Sequence, residues 1–302
     1  MISRIADIQI FDQLRTQATG IEATLATLQG EVSSGKRFQT ADADPLAAGE
    51  VLRTTTTLGA LAQYTSSVQF GLSVLGAEDS ALGDAAQIMT RAQEIATEQA
   101  NGTVTASDRA AAAEEVHGLL QALTSIGNTE LSGRRLFGNL ALDAPPPFTS
   151  PDASGYDPTA AYTGPTQEFS IKVGSSASER VRISTSGGTV FGGSLKALSD
   201  LETALRNNDI AGVAGTIAAL QQGQQDISAE RASVGARENQ LQTLQSQQAS
   251  LTLNAQTTLS TLQDADLASV LSQLTQGQVA LQAVLQAGAM IAQTTLAGLI
   301  KL

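Results

Sequence analysis

Phe11, Leu14, Ala18, Ile21, Leu25, Leu28 and Val32 follow one another at spacings of three and four without a miss. This is the a/d stripe of a helix that needs a partner helix, since one face is apolar along its whole length. A matching stripe closes the chain. Leu271, Leu274, Gln278, Leu281, Leu285, Gly288, Ala292, Thr295, Leu299 and Leu302 keep the same spacing, widened by Val270, Val284 and Ile291. Each run of about 25–30 residues makes a helix roughly 40 Å long, more than one small domain can cover. The expected fold is therefore mostly α: an elongated coiled-coil rod formed by the N- and C-terminal segments, with both chain ends at one pole.

Punctuation places the exception. Of the 7 prolines, six fall between Pro145 and Pro165, and Gly155, Gly164, Gly174, Gly187, Gly188, Gly192 and Gly193 crowd the same region. Such density argues against long helices from 142 to 193. Within it, Phe169-Ser-Ile171-Lys-Val173 and Val181-Arg-Ile183 alternate apolar and polar residues across a GSSASE turn, the period of half-buried strands. A small β-rich insert at the far end of the rod follows. Residues 45–100 and 105–130 read as helices, the second capped near Ser107-Asp108, and 194–260 as one or two helices returning. Pro45 fits a first helical turn with Asp44 as its N-cap. The expected division is thus a terminal coiled-coil region at 1–40 and 262–302, a helical region at 41–141 and 194–261, and the β-rich part at 142–193.

Composition then narrows the function. With 17 Lys+Arg against 29 Asp+Glu, the net charge of −12 repels nucleic acid and anionic membranes. The absence of cysteine removes disulfides, thiolate metal sites and cysteine nucleophiles together. Aromatics at 3%, with no Trp, point to a core of Ala, Leu, Val and Ile rather than an aromatic-lined ligand pocket. The N-terminus carries Arg4, Asp7, Asp12 and Arg15, so it lacks the apolar stretch of a cleaved leader, and no run is apolar enough to span a membrane. From Leu241 onward the charged residues are Asp264, Asp266 and Lys301, against twelve glutamines. A solvent-facing helix normally shows a charged back. One reading is a helix packed once in a bundle; the sharper one is a helix buried among copies of itself, loose until it assembles. Residues 1–40 balance four basic against four acidic side chains, while 41–141 carry five against twelve. A neutral terminal pole within an acidic body suits a tubular polymer.

At this point several passages become recognisable. LQGEVSSGKRFQTADADP (residues 28–45) resembles the SSGKR…DDP segment of the flagellin superfamily, and ANGTVTASDRAAAAEEVHGLL (100–120) its NGT…DR…E…L block. GNTELSGRRLFGNLALDAPPPF (127–148) is similar to the passage that leads into that family's β domain. SVGARENQLQTL (233–244) and LQDADLASVLSQLTQGQVALQAVLQAGAMI (262–291) resemble its C-terminal helices. The matches run in order through nearly the whole chain. Two features depart from the pattern: Asn139 stands where a second glycine is usual, and AGLIKL lacks an aromatic near the C-terminus.

The resemblance implies a structural subunit of the bacterial flagellum, of the kind that forms a junction ring between hook and filament. It also implies export unfolded through the flagellar type III channel without cleavage, and an extracellular location. The partners implied are like subunits, the other hook-associated junction protein, filament flagellin, and an export chaperone on the C-terminal helix. A filament flagellin and a cytoplasmic helical scaffold remain as alternatives. The subunit interface is expected at Phe11, Leu14, Ala18, Ile21, Leu25, Leu28, Leu271, Leu274, Leu281, Leu285 and Leu299, with Asp44, Pro45, Asp264 and Asp266 as structural caps.

No catalytic residue, cofactor or metal is expected. His117 is the only histidine, and its place beside Glu114 and Glu115 reads as a solvated or interhelical contact. Asp264-Ala-Asp266 reads as a helix start rather than a cation pair. GGTVFGGS (187–194) lacks the lysine of a phosphate loop. Arg134 and Arg135 could meet carboxylates of a neighbouring subunit or simply be solvated.

Overall fold

The computed structural model describes residues 2–153 and 156–300, with side chains from 9 to 293 outside that gap. Its helices are α1 (Ile2–Ser34), α2 (Pro45–Gln99), α3 (Ala106–Gly127), α4 (Gly187–Arg206), α5 (Ile210–Gln263) and α6 (Leu267–Ile300). The short strands are β1 (Glu130–Leu131), β2 (Arg134–Arg135), β3 (Ser170–Lys172) and β4 (Arg180–Arg182). The fold is mostly helical, as the periodicity implies; of its two small hairpins, β3–β4 follows the expected alternation, while β1–β2 lies in a region read as helical. The chain divides into two compact units, residues 1–59 with 252–302 and residues 60–251.

In the first unit α1 packs on α6. The chains run antiparallel, since Leu25 meets Gly277 and Lys36 pairs with Asp264. Asp44 caps α2 through its side chain, which accepts from the Ala47 amide at 3.0 Å, and Pro45 opens the helix. Asp266 caps α6, accepting from the amides of Ala268 at 3.1 Å and Ser269 at 3.3 Å. Asp264 does not share that role. Its carboxylate accepts from the Ser260 hydroxyl at 2.6 Å, and its backbone pairs with Lys36.

The second unit is built on α2 and α5, also antiparallel. Thr65 bonds Gln248, a Cβ at Gly71 would touch Leu241, Asp79 pairs with Arg231, and the Gln93 amide donates to the Leu220 carbonyl. Val213, Leu220, Ile227, Val234 and Leu241 recur every seven residues on α5 and are all fully buried. They face Val68, Leu75, Leu82, Ala85, Met89, Ala92 and Ala96 of α2 in one core. This is coiled-coil packing, and it forms one side of the unit's apolar core.

Helices α3 and α4 pack on each other and close the core with an aromatic cluster. Phe137 and Phe191 meet edge to face at 4.8 Å between centroids, and Phe148 lies 5.0 Å from Tyr162. The low aromatic content had pointed to an aliphatic core, but the few rings present are concentrated here. The expectation that 142–193 excludes helix also fails at one end, because α4 starts at Gly187. A Cβ at Gly187 would lie 2.7 Å from the Phe148 ring, and one at Gly188 would lie 2.7 Å from Tyr162. The glycines serve close packing, not a turn. In the rest of the segment, Ile171 pairs with Val181 in the β3–β4 hairpin, and Phe148 bridges to Tyr162.

The cap of α3 is Thr105 rather than Ser107-Asp108. Its hydroxyl accepts from the Asp108 amide at 3.2 Å, while the Asp108 carboxylate faces the Thr105 amide at 3.4 Å. The reciprocal pair satisfies two amides that the helix leaves open. Thr105→Ala should therefore lower the unfolding free energy by about 1 kcal/mol. Urea denaturation of the two proteins checks this, and no change would mean that solvent serves those amides equally well.

Candidate functional site

The α1–α6 pair is the candidate site, and the expected interface residues fall into two groups on it. Leu25 and Leu28 are buried, while Leu14, Ala18 and Ile21 are half-buried. On α6 the half-buried partners include Leu274 and Leu281. These seven residues lie along the contact within one chain. Phe11, Leu271 and Leu285 instead stand about half exposed, at 49%, 50% and 58%. The side chain of Leu299 lies outside the described residues, as do those of Thr295 and Leu302.

The inward stripe of α6 is Val270, Leu274, Gly277, Leu281, Val284, Gly288 and Ile291, again at spacings of three and four. Leu271 and Leu285 each follow an inward residue by one position and so turn about 100° away from the contact. Val279 and Met290 add to the outward apolar surface at 63% each, as does Ile10 on α1. An open groove of about 480 Å³ runs between the helices, lined by Gln17, Gly20, Thr24, Gln273, Gln276 and Ala280 among others. Its lining carries no charge. Apolar side chains beside amides and small residues favour another helix over bulk water.

The SSGKR segment fastens this pair to the following turn. Gly35 adopts φ 68°, where a side chain is strained, and its carbonyl accepts from the Ala265 amide at 2.9 Å. The Arg37 amide donates to the Gln263 carbonyl at 2.7 Å, and the Gln39 side chain donates to the Gly30 carbonyl at 2.8 Å. The loop after α1 thus pairs with the loop before α6. This gives the motif a positional role: it fixes where the two terminal helices start and end relative to each other.

The remaining sequence candidates are structural. Arg135 donates to the carbonyls of Asn128 at 2.9 Å and Ala144 at 3.0 Å and pairs with Glu130 at 2.7 Å, while Arg134 donates to the Leu140 carbonyl at 3.1 Å. Both arginines hold their own turn. Asn139 takes φ 59°, the left-handed conformation a glycine would fill, which asparagine tolerates better than most residues. GGTVFGGS is the first two turns of α4. His117 lies between two carboxylates, with Nε2 2.9 Å from Asp152 and Nδ1 3.1 Å from Glu202. The two nitrogens point to opposite sides of the ring, so these carboxylates do not converge on one ion. Among the described residues, no group of three or more His, Asp or Glu is placed to hold a metal, and no helix is long and apolar enough to cross a membrane.

One structural residue was not singled out by the sequence reading. Arg109 is 2% exposed, and donates to the carbonyls of Gln99 at 3.2 Å and Asn101 at 2.8 Å and to the Asn208 side chain at 2.7 Å. It ties the α2–α3 turn to the α4–α5 turn, which explains why an arginine follows the capping aspartate in the NGT…DR block.

The sequence profile described as "Bacterial flagellin N-terminal helical region" matches residues 7–141. Flagellar hook-associated protein 3 of Salmonella typhimurium is 26% identical over 300 residues, covering 93% of this chain and 94% of that protein. Among solved structures, FlgL of Bacillus cereus superposes with a TM-score of 0.58 at 18% identity, covering 69% of this chain and 99% of its own. The flagellar junction protein FlgL of Legionella pneumophila superposes with a TM-score of 0.55 at 14% identity, covering 71% and 100%. At those identities the superpositions establish a shared fold.

Proposed function

We infer that this chain, which belongs to the flagellin superfamily, is a structural subunit of the bacterial flagellum and forms the junction between hook and filament. The observation that carries this reading is the end-to-end likeness to hook-associated protein 3, covering 93% of the chain. A filament flagellin is the weaker alternative, because that likeness runs through both terminal helices and the segment between them.

The physical basis is the terminal pair. Full burial of one leucine side chain contributes about 1.5–3 kcal/mol, and the outward Phe11, Leu271, Val279, Leu285 and Met290 leave much of that unrealised in a single chain. Contact with like subunits in a ring removes this surface from water. The role is structural, with 1–40 and 262–302 as the assembly region, 41–141 and 187–261 as the mainly helical body, and 142–186 as a β-containing insert. Further partners are the other hook-associated junction protein and filament flagellin, with an export chaperone covering the C-terminal helix before secretion. The subunit leaves the cell through the flagellar export channel and resides outside the cell.

A deletion strain tests the reading. Loss of the gene should leave hooks in place, abolish motility and release flagellin into the medium, and the unmodified chain should restore filaments. Leu271→Asp combined with Leu285→Asp should leave the monomer's thermal unfolding within about 4 °C, since both positions stand about half exposed, yet fail to restore filaments. Filaments that persist in the deletion strain, or long polymers grown from the purified chain on flagellin seeds, would replace this reading with another.

A further inference from the structure

We propose that His117 is a protonation-dependent clasp that fastens Asp152, in the loop after Thr149 within the irregular segment 149–162, to α3 and α4, and that its deprotonation loosens the loop there. The inference is independent of the flagellar reading. His117 lies on α3, its Nδ1 faces Glu202 of α4 at 3.1 Å, and its Nε2 faces Asp152 of the segment at 2.9 Å. Ionised carboxylates only accept hydrogen bonds, so a single ring serves both of them only as the doubly protonated imidazolium. A neutral ring keeps one N–H and turns a lone pair toward the other carboxylate. One of the two contacts must then open.

The surrounding groups decide which. Glu202 has a second cationic partner, Arg206, whose Nε donates to it at 2.9 Å, and Arg206 in turn reaches Glu114 at 2.7 Å. Glu115, next along α3, is taken up by Arg91 at 2.7 Å. Asp152 has no cationic partner besides His117 among the described residues; its other contact is the neutral Gln121 amide at 2.8 Å. The segment's ends are fixed independently, since the Thr149 amide donates to the Ala161 carbonyl at 3.0 Å and the Thr163 amide to the Pro147 carbonyl at 2.8 Å. Between those ends, the hydrogen bonds that reach the helices among the described residues run through Asp152. Tyr156 packs against the core, but its buried hydroxyl has no hydrogen-bond partner. Losing the His117 contact leaves Asp152 held by the Gln121 amide alone, which also lies 3.2 Å from Nε2 and can donate to the neutral ring, so the loop around Asp152 opens more readily.

The hydrogen bond with Asp152 lifts His117 above its ordinary value; burial opposes it, and the hydrogen bond with Glu202 and the charges of both carboxylates add to the rise. A base whose folded value is raised contributes its stabilisation fully below the unfolded value and loses it as pH rises through the folded one. The clasp is therefore closed in mild acid and opens above the ordinary histidine range.

The chain has one histidine, so a single imidazole resonance reports its titration by NMR in the full-length protein. Amide exchange of peptides covering 149–162 is measured on the same samples from pH 5 to 9 and corrected for intrinsic rates, with 170–182 as an internal control. The expected result is an imidazole midpoint above 6.5 and a roughly tenfold loss of protection at 149–162 through that midpoint, as for one charge-assisted hydrogen bond, with no change in the control. His117→Gln should abolish the pH step. Asp152→Ala, at an exposed position, removes every side-chain acceptor and donor there and should lower the midpoint and give open-loop exchange at every pH, which keeps the test decisive should His117→Gln misfold. A midpoint at or below 6.5, a pH-independent segment in the unmodified chain, or a step that survives Asp152→Ala overturns the proposal.

Discussion

Phe191→Ala is expected to lower the unfolding free energy by about 3–5 kcal/mol, a large share of an ordinary chain's stability. Phe191 is fully buried on α4, with its ring 4.8 Å from Phe137 at 80° and 6.1 Å from Phe148 at 68°. Both are edge-to-face arrangements, which add to the burial of the ring itself. The size of the effect depends on whether neighbours can fill the space, and here they are held. The Gly187 amide donates to the Phe137 carbonyl at 3.0 Å, and the Tyr162 hydroxyl donates to the same carbonyl at 3.1 Å. Phe148 already presses against the backbone, where a Cβ at Gly127 would sit 2.6 Å from its ring. A cavity would therefore persist. Phe191→Leu keeps most of the volume and should cost no more than about 1.5 kcal/mol. Urea denaturation of the three proteins separates these cases, and a loss below 1 kcal/mol for the alanine variant would mean that the cluster collapses freely.

That cluster marks where sequence reasoning stops. Of 7 phenylalanines and 3 tyrosines, the chain gathers Phe137, Phe148, Phe191 and Tyr162 at one place, across more than fifty residues of sequence. Composition reports how many rings there are, not that they converge. The terminal stripes were legible because spacing of three and four is a local property, and α1 packs along the face it specified. The phase of α6 was not legible. Val270 and Leu271, like Val284 and Leu285, are adjacent and equally apolar, so periodicity admits two stripes and only the partner helix chooses between them. A helix with apolar residues on both faces is itself informative, since the second face needs its own cover. The seven-residue repeat of α5 was present in the sequence, but Thr216, Gly223, Glu230 and Arg237 fill the alternate seam positions and mask it. Arg109 was hidden for a different reason: its acceptors are backbone carbonyls and Asn208, which no motif encodes.

The polar seam positions lead to the second large effect, which grows with pH. Glu78 falls on the α2 seam, between Leu75 and Leu82, fully buried, and neither carboxylate oxygen has a hydrogen-bond partner. Burial pushes its pKa up to about 7, with Thr185 and Arg237 offsetting part of the shift and Glu230 adding to it. The cations nearby are already engaged. Arg237 and Arg182 both pair with Glu230, which also accepts from the Thr185 hydroxyl at 2.6 Å. A carboxyl whose folded value is raised binds its proton more tightly in the native state, so folding is favoured in acid. The penalty for ionising Glu78 develops as pH rises through about 4.5, the ordinary value, and is complete above about 7. At one power of ten per unit it amounts to roughly 3 kcal/mol. Glu78→Gln keeps the shape and removes the charge. It should therefore leave stability near pH 4.5 almost unchanged and raise it by about 2–3 kcal/mol at pH 8, a difference that urea midpoints at the two pH values read directly. If the glutamine variant is instead less stable at pH 8, the ionised carboxylate is favoured in the native state despite its burial, and Arg237, whose Nη1 has no hydrogen-bond partner, is the cation that offsets it.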